Sequence, residues 1–219
     1  MPQKKSLFAE PVYSCAGDIM GFEILTRFYF DNNATVNTKK IIDTLSKSDK
    51  ENLLQNQLYS IVNKSLFFEK NNFFCSVNLD EVMIDAILSC RGLNKLLGQY
   101  KFIKLEIDEN SSYSVKFIDK LRELSCISEL IMDDFGTGNT NLDLLSYGVF
   151  NGVKLDKHFL WESVKNNSLV QIVSEIKHET PFVIAEGVET LLIRNQAIQA
   201  GVTGLQGWLY PSYRLDNLG

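Results

Sequence analysis

Short apolar runs alternate along the chain with polar clusters and with segments of helical spacing. Runs rich in β-branched and aromatic residues predict eight strands, at residues 9–14, 19–28, 73–78, 102–107, 129–133, 149–155, 182–186 and 204–209. Apolar stripes at helical spacing occur in two of the intervals, formed by Leu54, Leu58, Ile61 and Leu66 and by Leu169, Ile172, Val173 and Ile176. The alternation predicts an α/β fold, with a mostly parallel sheet closed into a barrel and helices on its outside.

The first two runs break this alternation. Only residues 15–18 separate them, including Gly17, and a parallel crossover needs a much longer connection. The first strand is therefore expected to lie antiparallel to the second. Asn151-Gly152 is a competing hairpin signal inside the sixth run, and we interpret it as a loop that enters that strand. No linker divides residues 1–219, so the prediction is a single domain.

Composition and charge narrow the classes of function. The chain has 219 residues, with 22 Lys and Arg against 27 Asp and Glu, and the net charge of −5 argues against a surface that coats a DNA or RNA duplex. A phosphate ligand would instead need a local site. The sequence shows no apolar run long enough for a signal peptide or a membrane-spanning helix. Four scattered cysteines without paired spacing are typical of reduced thiols, which predicts a cytoplasmic protein.

Polar side chains stand at the carboxyl ends of successive runs. They are Glu23, Arg27, Asn78, Asp80, Glu106, Asp108, Glu109, Asp133, Asp134, Lys154, Asp156, Glu186, Glu189 and Gln206. In an α/β barrel these ends converge on one face, where active sites are built. Carboxylates brought so close repel one another unless a cation neutralises them. Their oxygen atoms, with no histidine in a comparable place, favour Mg²⁺ or Mn²⁺.

Two neighbouring carboxylates, Asp133 and Asp134, point to a pair of ions. At the fraying end of a strand both can turn inward, so that one bridges two ions and the other holds the second, as in sites that cleave phosphodiesters by in-line attack. Lys154 and Arg27 would supply positive charge for phosphate oxygens or for the attacking water.

Each polar residue also has an ordinary interpretation. Glu23 alone would be a surface carboxylate, Asn78 a turn residue or cap, and Lys154 a solvated lysine. The acidic residues 106–110 would start a helix, and residues 133–138 would form an acidic turn with glycines. Their joint occurrence at the ends of successive runs favours a common site.

The motifs resemble those of the EAL-domain phosphodiesterases of bacterial cyclic di-GMP signalling. The matching segments are residues 23–27 (EILTR), 76–79 (SVNL), 105–109 (LEIDE), 133–138 (DDFGTG), 154–156 (KLD), 185–190 (AEGVET) and 206–207 (QG). Together they cover nearly the whole chain. The resemblance implies a modified TIM-like (β/α)8 barrel with an antiparallel first strand. It also implies hydrolysis of cyclic di-GMP to linear diguanylate with two ions of Mg²⁺ or Mn²⁺.

The resemblance implies a role for each matching position. It implies a first ion held by Glu23, Asn78, Glu106 and Asp133, and a second held by Asp133, Asp134 and Glu186. Glu186 is then the general base, and Lys154 orients the nucleophilic water. The substrate-binding residues it implies are Arg27, which would hold a phosphate, together with Leu25, Gln206 and Glu10. Glu109 would steady the 133–138 loop, and Glu189 would be a supporting carboxylate.

Several positions depart from the family pattern. Ile24 replaces the middle alanine of the signature, which adds bulk beside the site. Glu10 stands where the family usually has a glutamine that touches the substrate, and a carboxylate there repels phosphate. Residues 139–141 (NTN) and 210–212 (YPS) replace customary residues, the first in a loop that contributes to dimer contacts in the family.

Two hypotheses follow from the motifs and the departures. The leading one is an active cyclic di-GMP phosphodiesterase, because every metal-ligand position is filled. The alternative is a stand-alone EAL-like regulator that binds a partner protein, or binds cyclic di-GMP without efficient hydrolysis. A homodimer is expected from the resemblance. A third reading, another metal-dependent barrel hydrolase, stays open because the barrel hosts many chemistries.

Overall fold

A computed structural model describes residues 4–29, 38–109, 113–138 and 142–219 of the chain. Its strands are β1 (Lys4–Ser14), β2 (Ile19–Tyr29), β3 (Phe74–Leu79), β4 (Ile103–Asp108), β5 (Leu130–Phe135), β6 (Gly152–Leu155), β7 (Phe182–Ala185), β8 (Gly204–Leu205) and β9 (Tyr213–Arg214). Its α-helices are α1 (Thr38–Thr44), α2 (Lys47–Val62), α3 (Ser65–Asn71), α4 (Glu81–Ser89), α5 (Arg91–Gln99), α6 (Val115–Ser125), α7 (Lys157–Lys165), α8 (Leu169–Glu179) and α9 (Leu191–Ala200). Short 3₁₀ helices lie at Leu142–Tyr147 and Leu215–Asn217.

The strands form a closed barrel. From β2 to β8 each strand pairs in parallel with the next, and β1 closes the ring by pairing antiparallel with both β8 and β2. Helices alternate with the parallel strands and cover the outside. The predicted barrel with an antiparallel first strand is confirmed. The short strand β9 also pairs antiparallel with β1, where Ala9 faces Tyr213.

The β1–β2 hairpin is longer than the sequence predicts. Its turn lies at residues 15–18 as expected, with Gly17 at a φ of 99°. However, β1 begins at Lys4 instead of residue 9, because its polar first residues pair with the end of β2, where Lys4 faces Tyr29. Residues of low strand propensity are held in the strand by this cross-strand pairing.

Two other strands are shorter than predicted. The sixth begins at Gly152 and not at residue 149, because Asn151 turns the chain and its side-chain oxygen accepts a hydrogen bond from the backbone of Leu130 at 3.0 Å. The loop interpretation of Asn151-Gly152 is thus confirmed. The eighth ends at Leu205 and not at residue 209. Gly207 there has a φ of 153° and packs so closely on the backbone of Val188 that a Cβ atom would lie 2.3 Å from its nitrogen.

The residues of the two predicted helical stripes face the core, with the exception of Leu66. Leu54, Leu58 and Ile61 are buried on α2, but Leu66 is 81% exposed, because α2 ends at Val62 and Leu66 belongs to the separate helix α3. On α8, the predicted stripe faces the core with Leu169, Val173 and Ile176 buried and Ile172 half-buried. The Leu66 side chain therefore faces solvent, whereas α3 packs on the core through Phe68.

Among the described residues, none of the helices has the length and apolar character needed to cross a membrane. The cysteines are unbonded thiols, with Cys75 buried, Cys15 and Cys90 half-buried and Cys126 exposed. Three of the four thus lie in or near the core, as the sequence predicts.

Truncation of two leucines of the first predicted helical stripe should show which of them is buried in the core and which is exposed. We expect Leu58→Ala to lower the free energy of unfolding by about 2–5 kcal/mol, because it leaves a cavity under α2. The matched change Leu66→Ala should alter it by no more than about 0.5 kcal/mol, because that side chain is exposed. Urea unfolding of both variants measures the difference, and equal losses would contradict the packing of α2.

Candidate active site

One buried lysine forms the centre of the site. Lys154 on β6 is 1% exposed, and its ammonium lies among four carboxylates from other strands. The distances from Lys154 Nζ are 2.7 Å to Glu186 Oε1, 2.9 Å to Glu23 Oε2, 3.0 Å to Glu106 Oε2 and 3.2 Å to Asp133 Oδ1. The structure thus brings together at one point residues that are up to 163 positions apart in sequence, from Glu23 to Glu186.

The parallel barrel accounts for this convergence. Glu106, Asp133 and Lys154 lie toward the carboxyl ends of β4, β5 and β6, and Glu186 follows β7 directly. Because these ends open on one face of the barrel, side chains from neighbouring strands meet there. Glu23 lies on β2, which runs parallel to these strands and pairs with β3 at Ser76.

A local irregularity in β5 brings two successive carboxylates to the same face. Neighbouring strand residues normally point to opposite faces. Here the pairing with β6 shifts register between Met132 and Phe135, and Asp134 has a φ of 57°. That left-handed backbone, which is costly for a residue with a side chain, turns the Asp134 carboxylate toward those of Asp133 and Glu186. Carboxylate oxygens of Asp133, Asp134 and Glu186 consequently lie within 4.8 Å of one another.

Amide groups position Glu23 within the cluster. Asn78 Nδ2 donates to Glu23 Oε1 at 2.6 Å, and Gln206 Nε2 donates to Glu23 Oε2 at 2.6 Å. Together with the ammonium of Lys154, these donors hold the carboxylate in its charged form. The pKa of Glu23 is therefore lowered, although burial alone would raise it.

The other carboxylates of the cluster are shifted in the opposite direction. Burial raises the pKa of Glu186 to about 8 and that of Asp133 to about 6, and neighbouring carboxylates add to the effect against the attraction of Lys154. Burial and the charge of Glu23 raise the pKa of Glu106 well above its usual range. Burial also disfavours the ammonium of Lys154, but the four carboxylates outweigh burial and raise its pKa. The site thus holds more negative charge than one lysine neutralises.

The donor set fits hard divalent cations. Oxygen atoms of Glu23, Glu106 and Asp133 form one group within 4.8 Å, and those of Asp133, Asp134 and Glu186 form a second, with Asp133 common to both. Only carboxylate oxygens contribute to these two groups, and Asn78 adds an amide beside the first. Mg²⁺ and Mn²⁺ prefer such ligands, and a shared carboxylate is the arrangement that a two-ion site uses.

Glu109 lies beneath the loop that follows β5. Its Oε2 atom accepts hydrogen bonds from the backbone nitrogens of Gly136, Thr137 and Gly138 at 2.8, 3.1 and 3.1 Å. Gly136 also leaves room for the ring of Phe159, which a Cβ atom would approach to 2.1 Å. This geometry fixes the loop next to Asp134.

Arg27 is already paired inside the chain. Its guanidinium lies 2.9 Å from Glu10 Oε1 and 4.1 Å from the centre of the Phe8 ring, and it donates to Ser212 at 3.4 Å. Glu10 faces Glu23 across the hairpin, so Arg27 also neutralises one of two opposed carboxylates. The pair borders a cavity of about 260 Å³ whose walls include Gln206, Trp208 and Tyr210.

A second and larger cavity, of about 480 Å³, lies beside the metal-type groups. Leu25 and the substituted Ile24 line it, together with Asn78, Asp133 and Asp134. The predicted substrate-binding residues are therefore distributed between two cavities, with Leu25 in the larger one and Glu10, Arg27 and Gln206 in the smaller one.

Lys39 on α1 is a site residue that the sequence did not reveal. Its ammonium lies 2.6 Å from Asp108 Oδ2 and 3.3 Å from Asp134 Oδ2. The segment before α1 shows no periodic pattern, so nothing in the sequence indicates that this lysine returns to the barrel mouth.

Some candidate residues serve other purposes. Asp80 and Asp156 cap helices, because their carboxylates accept from the backbone of Met83 and of Phe159 in the first turns of α4 and α7. Glu189 forms an ion pair with Lys157, whose ammonium also lies 4.4 and 4.8 Å from the rings of Trp161 and Trp208.

Two further segments, 210–212 and 139–141, depart from the family pattern. Tyr210 stacks on Tyr13 with ring centres 4.2 Å apart, which places the substituted segment 210–212 against the hairpin. The substituted loop 139–141, on which the expected dimer contacts depend, lies outside the described residues.

Comparisons with known proteins agree with this geometry. A family model described as "EAL domain" matches residues 3–212. The putative anti-FlhC(2)FlhD(4) factor YdiV of Escherichia coli K12 is 26% identical over 207 residues, which is 91% of this chain and 87% of that protein. The crystal structure of the EAL-like domain protein YdiV superposes with a TM-score of 0.87 at 25% identity, covering 97% of this chain and 93% of the other. The EAL enzyme Bd1971, solved with cAMP and cyclic di-GMP bound, shares the fold with a TM-score of 0.82 at 20% identity over 98% of this chain and 63% of its own.

Removal of the central ammonium should destabilise the barrel strongly. We expect Lys154→Met to lower the free energy of unfolding by about 3–5 kcal/mol, because it leaves buried carboxylates without their cation. Millimolar Mn²⁺ should restore part of this loss, since the ion would replace the missing charge. Urea unfolding with and without Mn²⁺ measures both effects, and Lys47→Met on the exposed face of α2 is the control. A variant as stable as the wild type would contradict the central role of Lys154.

Proposed function

The chain belongs to the EAL domain family, and we propose that it is an EAL-like regulator that acts by binding a partner protein and does not hydrolyse cyclic di-GMP efficiently. This was the alternative drawn from the sequence, and the comparisons support it better than the leading hypothesis of an active phosphodiesterase. The proposal treats residues 1–219 as one functional unit that works in the cytoplasm.

The names of the relatives support a protein partner. Several Salmonella and Escherichia relatives are anti-FlhC(2)FlhD(4) factors, and this chain aligns with most of their length. We therefore take an FlhC(2)FlhD(4)-type complex as the class of partner to test first. The same EAL-like fold, without a further catalytic step, would serve as the binding scaffold.

The ion pair between Arg27 and Glu10 is the structural observation that supports the proposal. Arg27, which the resemblance implies as the phosphate-binding residue, is paired with Glu10 at 2.9 Å and packed on Phe8. A substrate phosphate would have to replace a carboxylate that is already attached to the chain, and it would meet the repulsion of that carboxylate once displaced. Substitution of an amide by Glu10 therefore weakens the phosphate position without removing any metal ligand.

Hydrolysis of cyclic di-GMP is the second candidate, because all the implied metal ligands are present and grouped. Bound Mg²⁺ or Mn²⁺ would neutralise the carboxylates and polarise a phosphodiester oxygen. In that case Lys154 would orient the attacking water, and Glu186 would accept its proton. Such an enzyme would still depend on release of Arg27 from Glu10.

A direct binding experiment tests the regulator proposal. Mixed with a purified FlhC(2)FlhD(4) complex, the chain should elute from size exclusion as a complex of fixed stoichiometry, with the mass measured by light scattering. Asp134→Asn should form the same complex, because the proposal assigns no catalytic step to that carboxylate. Failure to associate, together with conversion of cyclic di-GMP to linear product that Asp134→Asn abolishes, would establish the second candidate instead.

A single substitution tests the role of the Glu10–Arg27 pair. We expect Glu10→Gln to tighten the binding of cyclic di-GMP by about two- to fivefold in calorimetry, the size of a partly exposed ion pair. The control Glu162→Gln makes the same chemical change at an exposed position on α7 and should leave the affinity unchanged. Equal affinities of Glu10→Gln and wild type would show that the pair does not restrict the phosphate position.

A further inference from the structure

Helix α1 lies across the mouth of the barrel but is weakly anchored there. None of its side chains is buried, and it borders the cavity of about 480 Å³ through Thr38, Lys39 and Ile42. Thr38 Oγ1 donates to the carbonyl oxygen of Thr26 on β2 at 3.0 Å. Its apolar side chains Ile41 and Ile42 pack against the core but are only half-buried. Because an element with no fully buried side chain separates from the core at lower cost than one with a buried face, α1 is suited to move without unfolding the barrel.

The ammonium of Lys39 is a further anchor of α1, and it contacts acidic groups of the site. It contacts Asp108 Oδ2 at 2.6 Å and Asp134 Oδ2 at 3.3 Å. Asp134 belongs with Asp133 and Glu186 to the second group of oxygens that fits a divalent cation. The ammonium of Lys39 on α1 therefore contacts one of the three carboxylates of the second group.

We propose that Lys39 is a tethered cation that competes with a divalent ion for Asp134, so that an ion at the second position displaces Lys39 and loosens α1. The contested atom is a carboxylate oxygen of Asp134, because this carboxylate has the ammonium of Lys39 on one side and oxygens of Asp133 and Glu186 within 4.8 Å. The competition concerns the affinity for the ion and the position of a helix, and it holds whether or not the chain hydrolyses a substrate.

The balance between the two cations is set by exposure and charge. The side chain of Lys39 is 65% exposed, and an ion pair at such a position contributes little stability because water screens it. A divalent ion between three carboxylates carries twice the charge and contacts more oxygens at once. Lys39 should therefore weaken binding of the ion modestly without preventing it.

Titration with Mn²⁺ tests the competition. In calorimetry, or from the paramagnetic resonance of free Mn²⁺, Lys39→Met should bind the ion at the second position about two- to fivefold more tightly than the wild type. Lys47→Met removes an equally exposed charge from α2 and should leave the affinity unchanged. In an Asp134→Asn background, Lys39→Met should bring no gain, because the contested atom is lost. Lys39→Gln serves as a second variant should Lys39→Met not fold.

The movement of α1 has its own readout. Hydrogen exchange of the amides in Thr38–Thr44 should speed up when Mn²⁺ is added to the wild type, and Lys39→Met should show the faster exchange already without the ion. Equal Mn²⁺ affinities of wild type and Lys39→Met would overturn the proposal. An equal gain in Lys47→Met, or exchange in α1 that does not respond to Mn²⁺, would overturn it as well.

Discussion

The structure depends on one ammonium group that holds together acidic side chains from several strands of the barrel. Four carboxylates lie within 3.2 Å of Lys154 Nζ, and the lysine itself is 1% exposed. Buried groups of like charge repel strongly in a medium of low polarity, so the mouth of the barrel would open without a cation among them. Lys154 compensates part of this charge, and the raised pKa values of Glu106, Asp133 and Glu186 show how much remains. With this excess of negative charge, the two carboxylate groups could hold divalent ions.

Around this centre, local backbone features determine which oxygens are available. The left-handed conformation of Asp134 and the register shift in β5 place two successive carboxylates on the same side. Glu109 fixes the next three residues of the loop through their backbone nitrogens. A strained residue persists only where its surroundings hold it, and here the loop hydrogen bonds provide that support. The geometry of the second ion group is consequently a property of the loop as much as of the carboxylates.

The charges that neutralise the site come from the chain itself. Lys154 occupies the centre, Lys39 contacts Asp134, and Arg27 is paired with Glu10 at the phosphate side. With these cations engaged, the chain offers less free positive charge to a phosphodiester. In the regulator role proposed above, the chain could therefore keep its set of implied metal ligands without efficient hydrolysis. The family motifs predict which carboxylates lie close together. The ion pairs of Lys154, Lys39 and Arg27 affect how readily these carboxylates and a phosphate can bind further ligands.

The sequence alone determined the fold class and the carboxylates and central lysine that converge at the barrel mouth. Alternating apolar runs specify strands, and the four-residue connection at 15–18 specifies the antiparallel first pair, because local spacing and loop length act within a short stretch of chain. The convergence of Glu23, Glu106, Asp133 and Glu186 followed from strand ends that must open on one face. The tertiary structure alone decided the length of β1, the exposure of Leu66 and the partners of Arg27 and Lys39. The partners of long flexible side chains depend on the relative positions of elements that are distant in sequence. Those positions depend on the packing of the whole barrel, which no local sequence pattern encodes.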